Sequence, residues 1–351
     1  MTGKSGAAEG VANGQGGAEA PDLSIIIISF NTREMTLACL RSVIDQTRET
    51  SYEIIVVDND SHDGSAAAIA EEFPDVTLFA EKANHGFAGG NNLGVKHSRG
   101  RYALLLNPDT VVLDGAIDKL MAFARATPQA QIWGGRTIYG DGTLNRTCCY
   151  QRMSLWNVFC RATGLASLSG NHRLFSEAYG GWNMDSVRPV DIVTGCFLLI
   201  PRALWDRLGG FDLSYFMYGE EADLCMRAAD RFGADPHFTP DAEIVHYGGA
   251  SEPVRADKAV RLFKAKMTVI EHHFPGWRRP AGLALFRMIP LTRYAALSVL
   301  GTLTRAPRFR DSARVWGEVW QRRDEWSPPE GLPPPAHGAP NGAPNGARNG
   351  V

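Results

Sequence analysis

Apolar and mixed segments alternate along the chain between residues 23 and 126. The apolar segments are short, as is typical of strands buried on both faces, and they predict strands at 23–30, 53–57, 76–80 and 102–106. The intervening segments carry apolar positions at helical spacing and predict helices at 36–45, 64–73, 90–97 and 115–126. Strands that alternate with helices of about ten residues are typical of βαβ units, so we expect an α/β fold with a mainly parallel central sheet.

The pattern is less regular after Trp133. It predicts a strand at 190–200 and helices at 203–208, 220–231 and 256–272. Residues 1–22 contain few large apolar side chains, and the Pro-, Gly- and Asn-rich segment 327–351 has no core-forming capacity, so both are expected to be disordered tails. We therefore expect one domain at 23–275, followed by a helical extension at 276–326.

Charge is distributed unevenly over the 351 residues. The formal net charge is −2, which gives no signature of a nucleic-acid partner. Residues 255–323, however, carry fifteen Lys and Arg against four Asp and Glu. A basic C-terminal region on an acidic body indicates an anionic surface as partner.

The six cysteines show no CxxC spacing, and several lie in apolar runs, which suggests buried thiols in a reducing compartment. The N-terminus is rich in Gly and Ala without an apolar h-region, so no signal peptide is predicted. Both observations favour a cytoplasmic protein.

Polar residues follow three of the predicted strands. They are Ser29-Phe30-Asn31, Asp58-Asn59 and Asn107-Pro108-Asp109. Ligands of open α/β sheets bind just past the carboxyl ends of the strands, so Asp109 is expected where a phosphate or its metal ion would lie. The alternative is ordinary turn chemistry, with Asp109 as a helix cap.

A glycine- and asparagine-rich segment lies between the second and third of these strand ends. It contains Asn84, Gly86, Phe87 and Asn91. Glycines let the backbone approach a ligand closely, and the start of the following helix supplies N–H donors for a phosphate. The segment forms neither a GxGxxG fingerprint after the first strand nor a Walker loop, which disfavours NAD binding and ATP hydrolysis.

Three carboxylates open the helix predicted at 220–231. Glu221 shares a helix face with the apolar Leu224, so it is expected to point inward, where burial raises the pKa of a carboxyl toward that of a general base. Asp223 lies four residues before Arg227, which predicts a surface ion pair of small worth. Glu220 is expected to complement the helix dipole.

His246 follows a predicted strand and precedes Tyr247-Gly248-Gly249. A lone histidine in such a place is more often a structural hydrogen-bonding residue than a ligand. Here the glycines would admit a diphosphate, and a neutral imidazole would complete a metal site begun by Asp109.

The order of these motifs resembles the GT-A-fold family 2 glycosyltransferases, in particular bacterial rhamnosyltransferase-like members, over residues 23–275. The resemblance implies a Rossmann-like fold and an Mg²⁺ or Mn²⁺ ion held by Asp109 and His246. It also implies that Glu221, with Glu220 beside it, is the catalytic base, and that Thr194, Gly195 and Cys196 lie on the acceptor side. The donor-binding residues implied are Ser29, Phe30, Asn31, Asp58, Asn59, Asn84, Gly86, Phe87, Asn91 and Asp109.

Two positions depart from the usual family pattern. Asn107-Pro108-Asp109 stands where many relatives have Asp-x-Asp, so metal binding is expected to be weaker. Glu220-Glu221 stands where many have Glu-Asp, which leaves open which glutamate is the base.

The reaction implied is a single inverting displacement that moves a sugar from a nucleotide diphosphate to a hydroxyl of a glycan or polyprenyl-linked acceptor in cell-surface polysaccharide synthesis. The favoured donor is dTDP-rhamnose, and the alternative is another UDP- or GDP-sugar. Two readings from other classes are a nucleotidyltransferase and a non-catalytic scaffold. A nucleotidyltransferase is disfavoured because Ser29-Phe30-Asn31 stands where its Gly-rich basic loop is expected.

The basic region after Pro275 contains apolar runs broken by Arg287, Pro290 and Arg293. These breaks disfavour a transmembrane span and favour an amphipathic segment on an anionic membrane, which places the protein at the inner face of the cell membrane. The alternative is a solvated or homo-oligomer-forming helical tail.

Overall fold

The computed structural model describes residues 20–170, 172–248 and 255–327, so the predicted tails lie almost wholly outside the described residues. In the first half, every predicted strand and helix is present, with one further short strand at 110–112. In chain order the elements are β1 (Leu23–Ser29), α1 (Arg33–Gln46), β2 (Tyr52–Asn59), α2 (Ser65–Glu72), β3 (Thr77–Glu81), α3 (Gly86–Lys96), β4 (Tyr102–Leu106), β5 (Thr110–Val112) and α4 (Ala116–Ala126).

The second half contains shorter strands and longer helices. Its elements are β6 (Trp133–Ile138), β7 (Leu144–Asn145), β8 (Cys149–Tyr150), α5 (Leu155–Thr163), α6 (Leu165–Leu168), β9 (Arg188–Pro189), β10 (Ile192–Val193), β11 (Phe197–Pro201), α7 (Arg202–Leu208), α8 (Glu220–Phe232), β12 (His237–His246), α9 (Arg255–His273), α10 (Arg278–Thr304), α11 (Pro307–Gln321) and α12 (Arg323–Trp326).

One strand predicted at 190–200 is wrong, because residues 194–196 divide it. β10 pairs with β8 in a separate two-stranded sheet, whereas β11 joins the main sheet. The uniformly apolar run carried no signal for the break. A Cβ on Gly195 would lie 2.8 Å from the Phe87 ring, so glycine lets this part of the chain approach Phe87 closely.

The central sheet has the strand order β3-β2-β1-β4-β11-β6-β12-β5. The first four strands are parallel, and so are β6 and β12, while β11 and β5 run antiparallel to their neighbours. The mainly parallel sheet expected from the sequence is confirmed. The carboxyl ends of β1, β2 and β4 meet at one edge, where the polar motifs lie.

Both faces of the sheet are covered by helices. Ile25 and Ile27 of β1 share a buried cluster with residues of α1 and α4. Ile26 and Ile28 point to the opposite face, where they join residues of α3 and α8. The alternation explains why the strands are apolar throughout. All six cysteines are buried and free, as predicted.

Helix α3 begins at Gly86, four residues before the predicted start at 90. The glycines that suggested a loop instead let this helix pack closely on β1. A Cβ on Gly90 would lie 2.9 Å from Ile28, and one on Gly94 would lie 2.5 Å from Ile26. The starting turn of α3 therefore belongs to the site edge of the sheet.

The helices after residue 275 pack on the rest of the protein. Phe286 and Ile289 of α10 are fully buried with Trp326 and with residues of α5 and α9. Within the described residues, α10 alone is long and apolar enough to cross a membrane by length and composition, and only 17% of its apolar stretch is buried. One face of α10 is thus part of the core, and another is exposed. We refer to the exposed face as the open face of α10.

The Asp223–Arg227 pair is buried, and its expected surface position is wrong. The two side chains are 0% and 3% exposed, and Arg227 Nε donates to Asp223 at 2.7 Å. His273 of α9 contacts the other carboxylate oxygen at 2.8 Å, while the Arg227 guanidinium also donates to the carbonyls of Leu208 and Gly210. Helical spacing revealed the pair but not the elements that cover it.

Removal of one buried partner leaves the other charge uncompensated. We expect Arg227→Met to lower the free energy of unfolding by about 3–5 kcal/mol. In the control, Arg314→Met removes an arginine that is 81% exposed beside Asp311, and it should cost less than about 1 kcal/mol. Urea denaturation of the two variants and the wild type measures both values. Equal stability of Arg227→Met and wild type would contradict the buried pair.

Candidate active site

Two hydrogen bonds fix the turn that follows β4. The Asn107 N–H donates to the carbonyl of Cys196 at 3.1 Å, and the Thr110 hydroxyl donates to the carbonyl of Asn107 at 2.7 Å. These bonds lie between the end of β4 and the start of β5. Asp109 therefore lies at the carboxyl end of a central strand, as predicted.

Pairing of β5 with β12 brings His246 to Asp109. Thr110 lies opposite His246, the Tyr247 N–H donates to the Asp109 carbonyl at 3.0 Å, and the Gly248 N–H donates to Asp109 Oδ2 at 3.0 Å. His246 Nε2 is 3.4 Å from Asp109 Oδ1 and 3.3 Å from Asn107 Nδ2. The two residues predicted as metal ligands are thus adjacent, while Gly249 lies outside the described residues.

Asp109 and His246 stabilise each other's charge. Burial disfavours the Asp109 carboxylate, but contact with His246 lowers its pKa below the usual value. Burial likewise disfavours the imidazolium, but the neighbouring Cys196 and Asp109 raise the pKa of His246 to about 10. The pair offers one carboxylate and one imidazole, and no group of three or more His, Cys, Asp and Glu in the described ranges forms a further metal-binding cluster.

Gly86 joins two loops at the mouth of the site. It has φ +69°, its N–H donates to Asn84 Oδ1 at 2.8 Å, and its carbonyl accepts from Asn59 Nδ2 at 3.0 Å. The next N–H, of Phe87, donates to the carbonyl of Phe216 at 2.9 Å. We refer to residues 84–87, which lead into α3, as the glycine loop. Its hydrogen bond to Phe216 fixes it against the segment that leads into α8.

Four predicted donor residues make contacts within the protein. The Ser29 hydroxyl bonds to Thr36, Asn31 accepts from the His62 N–H, Asp58 accepts from the Ser61 N–H, and Asn91 donates to the Phe87 carbonyl. They order the ends of β1 and β2 and the start of α3. None of the four is among the described residues that line the cavity.

A cavity of about 810 Å³ opens along this edge of the sheet. Its wall contains twelve of the predicted site residues and continues past them to the C-terminal helices. The predicted residues on the wall are Phe30, Asn59, Asn84, Gly86, Phe87, Asp109, Thr194, Gly195, Cys196, Glu220, Glu221 and His246. Donor-side, acceptor-side and acidic residues therefore face one space.

Glu220 and Glu221 begin α8 directly after Gly219, whose φ is +86°. Glu220 lies in the first turn of the helix, where it was expected to complement the helix dipole, and it is only 3% exposed. Burial and the adjacent Glu221 raise the pKa of Glu220 well above its usual value. Burial also raises the pKa of Glu221, but backbone N–H groups, Lys266 and Glu220 partly oppose this.

Of the two carboxyls, Glu220 is therefore the one that holds a proton, and Glu221 is the one that is more readily ionised. A proton on Glu220 lets it donate to Glu221, which removes the repulsion between two buried carboxylates. Glu221 lines the cavity with an ionisable oxygen, as a general base requires.

Buried polar atoms without a hydrogen-bond partner concentrate at this edge. Within the described residues nine such side-chain atoms occur, and seven belong to predicted site residues or to Asn107. They are Asp58 Oδ2, Asn59 Oδ1, Asn91 Oδ1, Asn107 Oδ1, Glu220 Oε2, Glu221 Oε2 and His246 Nδ1. Because buried polar groups in native proteins are almost always paired, this concentration indicates a polar ligand.

Several wall residues were missed from the sequence. Tyr150, Glu177 and Lys266 line the cavity, as does Lys258. The first two lie in the irregular segment after β6, where periodicity carried no signal. Lys258 and Lys266 are eight residues apart in the predicted basic helix, and their spacing on one helix face was the available signal.

Comparison with known proteins agrees with this geometry. The model of the glycosyl transferase family 2 matches residues 24–190. The N-acetylglucosaminyl-diphospho-decaprenol L-rhamnosyltransferase of Mycobacterium tuberculosis is 27% identical over 293 residues, which is 74% of this chain and 87% of the relative. The low-salt glycan biosynthesis hexosyltransferase Agl10 of Haloferax volcanii is 27% identical over 59% of this chain and 61% of that protein.

Two solved structures share the fold. The mannosyltransferase PcManGT from Pyrobaculum calidifontis, in complex with GDP-Man and Mn²⁺, has a TM-score of 0.54 at 15% identity and covers 88% of both chains. GalNAc-T7 with UDP, GalNAc and Mn²⁺ has a TM-score of 0.53 at 14% identity, covering 72% of this chain and 48% of that one.

The fold and these matches together define a sugar-transferring enzyme of the GT-A class. The segment 24–190 is similar to glycosyl transferase family 2, and rhamnosyltransferases are among the relatives of the chain. The predicted family, fold class and enzyme class are confirmed. The roles assigned to individual site residues stay predictions.

Gly86→Ala tests the junction of the two loops. A Cβ at this residue would lie 2.2 Å from the Phe216 carbonyl oxygen, in addition to the positive φ. The control, Gly142→Ala, has φ +81° but no atom within 4 Å of its Cβ. Both variants bear the backbone strain of about 1 kcal/mol, and Gly86→Ala should lose a further 1–3 kcal/mol from steric overlap. Urea denaturation measures the difference, and equal losses would contradict the close contact.

Proposed function

We propose that this enzyme transfers rhamnose from dTDP-rhamnose, with inversion, to a hydroxyl of a lipid-linked glycan during cell-surface polysaccharide synthesis. The observation that carries the proposal is a set of five unpartnered buried polar atoms, which belong to residues on the wall of a cavity that Asp109 and Glu221 also line. The activity in the name of the Mycobacterium tuberculosis relative supports the choice of sugar and acceptor. The alternative donor is another UDP- or GDP-sugar.

The donor end of the cavity is assigned to Asp109, His246 and the glycine loop. Asp109 and His246 would hold an Mg²⁺ or Mn²⁺ ion, a cation type that binds oxygen ligands and shares them with substrate phosphates. The donor set fits such an ion, since Asp109 supplies a carboxylate beside the unpartnered Asn107 Oδ1, and His246 would become an imidazole ligand by releasing the proton that Asp109 stabilises. When bound, the ion would offset negative charge on the leaving diphosphate. Both solved structures named above contain Mn²⁺.

The base is assigned to Glu221. The acceptor oxygen attacks the anomeric carbon, the bond from that carbon to the nucleoside diphosphate breaks, and the hydroxyl proton passes to Glu221. Glu220 keeps its proton and donates to Glu221, which holds the base in position. The larger rise in the pKa of Glu220 supports this division of roles.

The membrane contact is assigned to the open face of α10. Its exposed apolar side chains include Met288, Val299, Leu300 and Leu303. Arg305, Arg308 and Arg310 follow within two turns, where anionic headgroups would meet them. We therefore place the enzyme at the inner face of the cell membrane, with α10 lying along the surface.

Exchange of each glutamate for glutamine tests the assignment of the base. We expect Glu221→Gln to lower the transfer rate about 10²–10⁴-fold, because the residue can no longer accept the acceptor proton. Glu220→Gln should reduce it far less, since the amide also donates a hydrogen bond. Donor affinity should be unchanged in both variants. Steady-state kinetics with dTDP-rhamnose and calorimetry of donor binding provide the two measurements.

The pH profile gives a second check on the same pair. Burial raises the pKa of Glu221, and a base acts only when deprotonated, so the wild-type rate should rise with pH through a value above the usual glutamate pKa. Full activity of Glu221→Gln, or a larger loss in Glu220→Gln, would contradict the assignment.

Flotation with anionic vesicles tests the membrane face. Val299 and Leu303 lie one helical turn apart and are 58% and 76% exposed. The double variant Val299→Ser/Leu303→Ser should bind phosphatidylglycerol vesicles at least about tenfold more weakly, because each side chain loses apolar burial worth about 1.5–3 kcal/mol. Leu213→Ser, which removes a 68% exposed leucine before α8, is the matched control. Equal flotation of all three proteins would contradict the proposed surface.

A further inference from the structure

Four basic side chains line one part of the cavity. They are Arg161 of α5, Lys258 and Lys266 of α9, and Arg293 of α10. Folding brings these three helices together, since Arg161 and Arg293 are 132 positions apart in the sequence. We refer to these four residues as the basic cluster.

The basic cluster carries more positive charge than its surroundings neutralise. Glu177 pairs with Lys266 and lies 3.6 Å from Arg161. Neither Lys258 nor Arg293 has an acidic partner among the described residues, and the Arg293 guanidinium lies 4.8 Å from the centre of the Trp316 ring. Glu221 also acts on Lys266, so two carboxylates face four cations on this wall, a charge balance that still favours an anionic ligand.

Repulsion within the basic cluster is also visible. Burial lowers the pKa of Arg293, and the neighbouring Arg161 lowers it further. Two guanidiniums that approach each other at a cavity wall are stabilised when an anion lies between them. Phosphate groups suit this geometry, since arginine binds them through two parallel N–H donors.

The basic cluster lies between the catalytic end of the cavity and the open face of α10. Lys266 is close enough to Glu221 to stabilise its carboxylate. Arg293 is flanked in sequence by Leu291 and Tyr294, which are 42% and 44% exposed. An anion at the basic cluster would thus have the proposed base on one side and an apolar surface on the other.

We propose that the basic cluster binds the diphosphate of a lipid diphosphate-linked sugar acceptor. This inference rests on the proposed function and identifies its acceptor class. The acceptor sugar would extend from the basic cluster to Glu221, and the lipid chain would lie along α10. Such an order suits an acceptor whose reacting hydroxyl is on the sugar attached directly to the diphosphate, because Lys266 and Glu221 are neighbours.

The site is distinct from the donor diphosphate site. Donor phosphates are assigned to Asp109, His246 and the glycine loop, at the carboxyl ends of β4 and β12. The acidic pair Glu220 and Glu221 lies on the wall with both sites. A separate pocket for each diphosphate lets the enzyme hold two anionic substrates at once.

The test uses the full chain and three probes: farnesyl diphosphate, farnesol and inorganic diphosphate. Wild type should bind farnesyl diphosphate more tightly than either of the other probes by calorimetry. Lys258→Gln/Arg293→Gln should weaken that binding at least about tenfold, since each lost charge-assisted hydrogen bond is worth about one factor of ten or more. Affinity for dTDP-rhamnose should stay at the wild-type value.

Lys264→Gln is the matched control. This exposed lysine lies on α9 and is not among the residues on the cavity wall, so the variant removes a charge from the same helix and should bind all probes as wild type does. If the double variant is less stable than wild type by thermal denaturation, the single variant Lys258→Gln is measured instead. The proposal would be overturned if the basic-cluster variant binds farnesyl diphosphate as tightly as wild type and Lys264→Gln do.

Two other outcomes would also overturn it. If inorganic diphosphate binds as tightly as farnesyl diphosphate, the basic cluster is a free phosphate site. If the variant keeps its farnesyl diphosphate affinity but loses binding to phosphatidylglycerol vesicles, the basic cluster contacts membrane headgroups instead.

Transfer assays separate this proposal from the proposed function. With farnesyl-diphospho-N-acetylglucosamine as acceptor, the double variant should show a KM at least about tenfold higher, whereas KM for the octyl glycoside of the same sugar should be unchanged. A tenfold rise for both acceptors would overturn the diphosphate site. Failure of wild type to transfer to either acceptor would count against the proposed function, while the binding measurements would still decide the basic cluster.

Discussion

The buried contact of Asp223 with Arg227 and His273 determines how the active site is assembled. It ties the first turn of α8 to the end of α9 and, through the Arg227 guanidinium, to the carbonyls that follow α7. Glu220 and Glu221 lie on that same first turn, so their burial depends on it. The Phe216 carbonyl, in the segment before α8, also accepts from the Phe87 N–H next to Gly86. One charged contact thus positions the proposed base, the glycine loop and the helix that carries Lys266.

The cavity combines two regions of opposite electrostatic character. Around Glu220 and Glu221, buried carboxyls and their neighbours favour one shared proton and one ionisable base. At the basic cluster, four cations outnumber the two nearby carboxylates of Glu177 and Glu221. A sugar hydroxyl that must be deprotonated fits the first region, and an anionic anchor fits the second. The charge distribution along the cavity wall would therefore set the orientation of the proposed acceptor as well as its position.

The first half of the fold was predictable because each element there buries a regular pattern. Strands such as 102–106 are apolar throughout, and the helices between them carry apolar residues at helical spacing. The strand end at Asp109 and the later His246 were likewise recognisable, and β5 and β12 bring them together. Errors occurred where one local pattern is compatible with two structures. The glycines that suggested a loop instead allow α3 to pack on β1. The apolar run at 190–200 contributes strands to two different sheets.

By itself the sequence determined the order of elements in the first half, the polar strand ends and the family, since these depend on residues close together in the chain. Only the tertiary structure decided that Asp223 is buried, that burial beside Glu221 raises the pKa of Glu220, and that Arg161 and Arg293 reach one cavity wall. The reason is physical. Burial and charge balance depend on which elements cover a side chain, and the covering elements here come from α9 and α10, far along the chain.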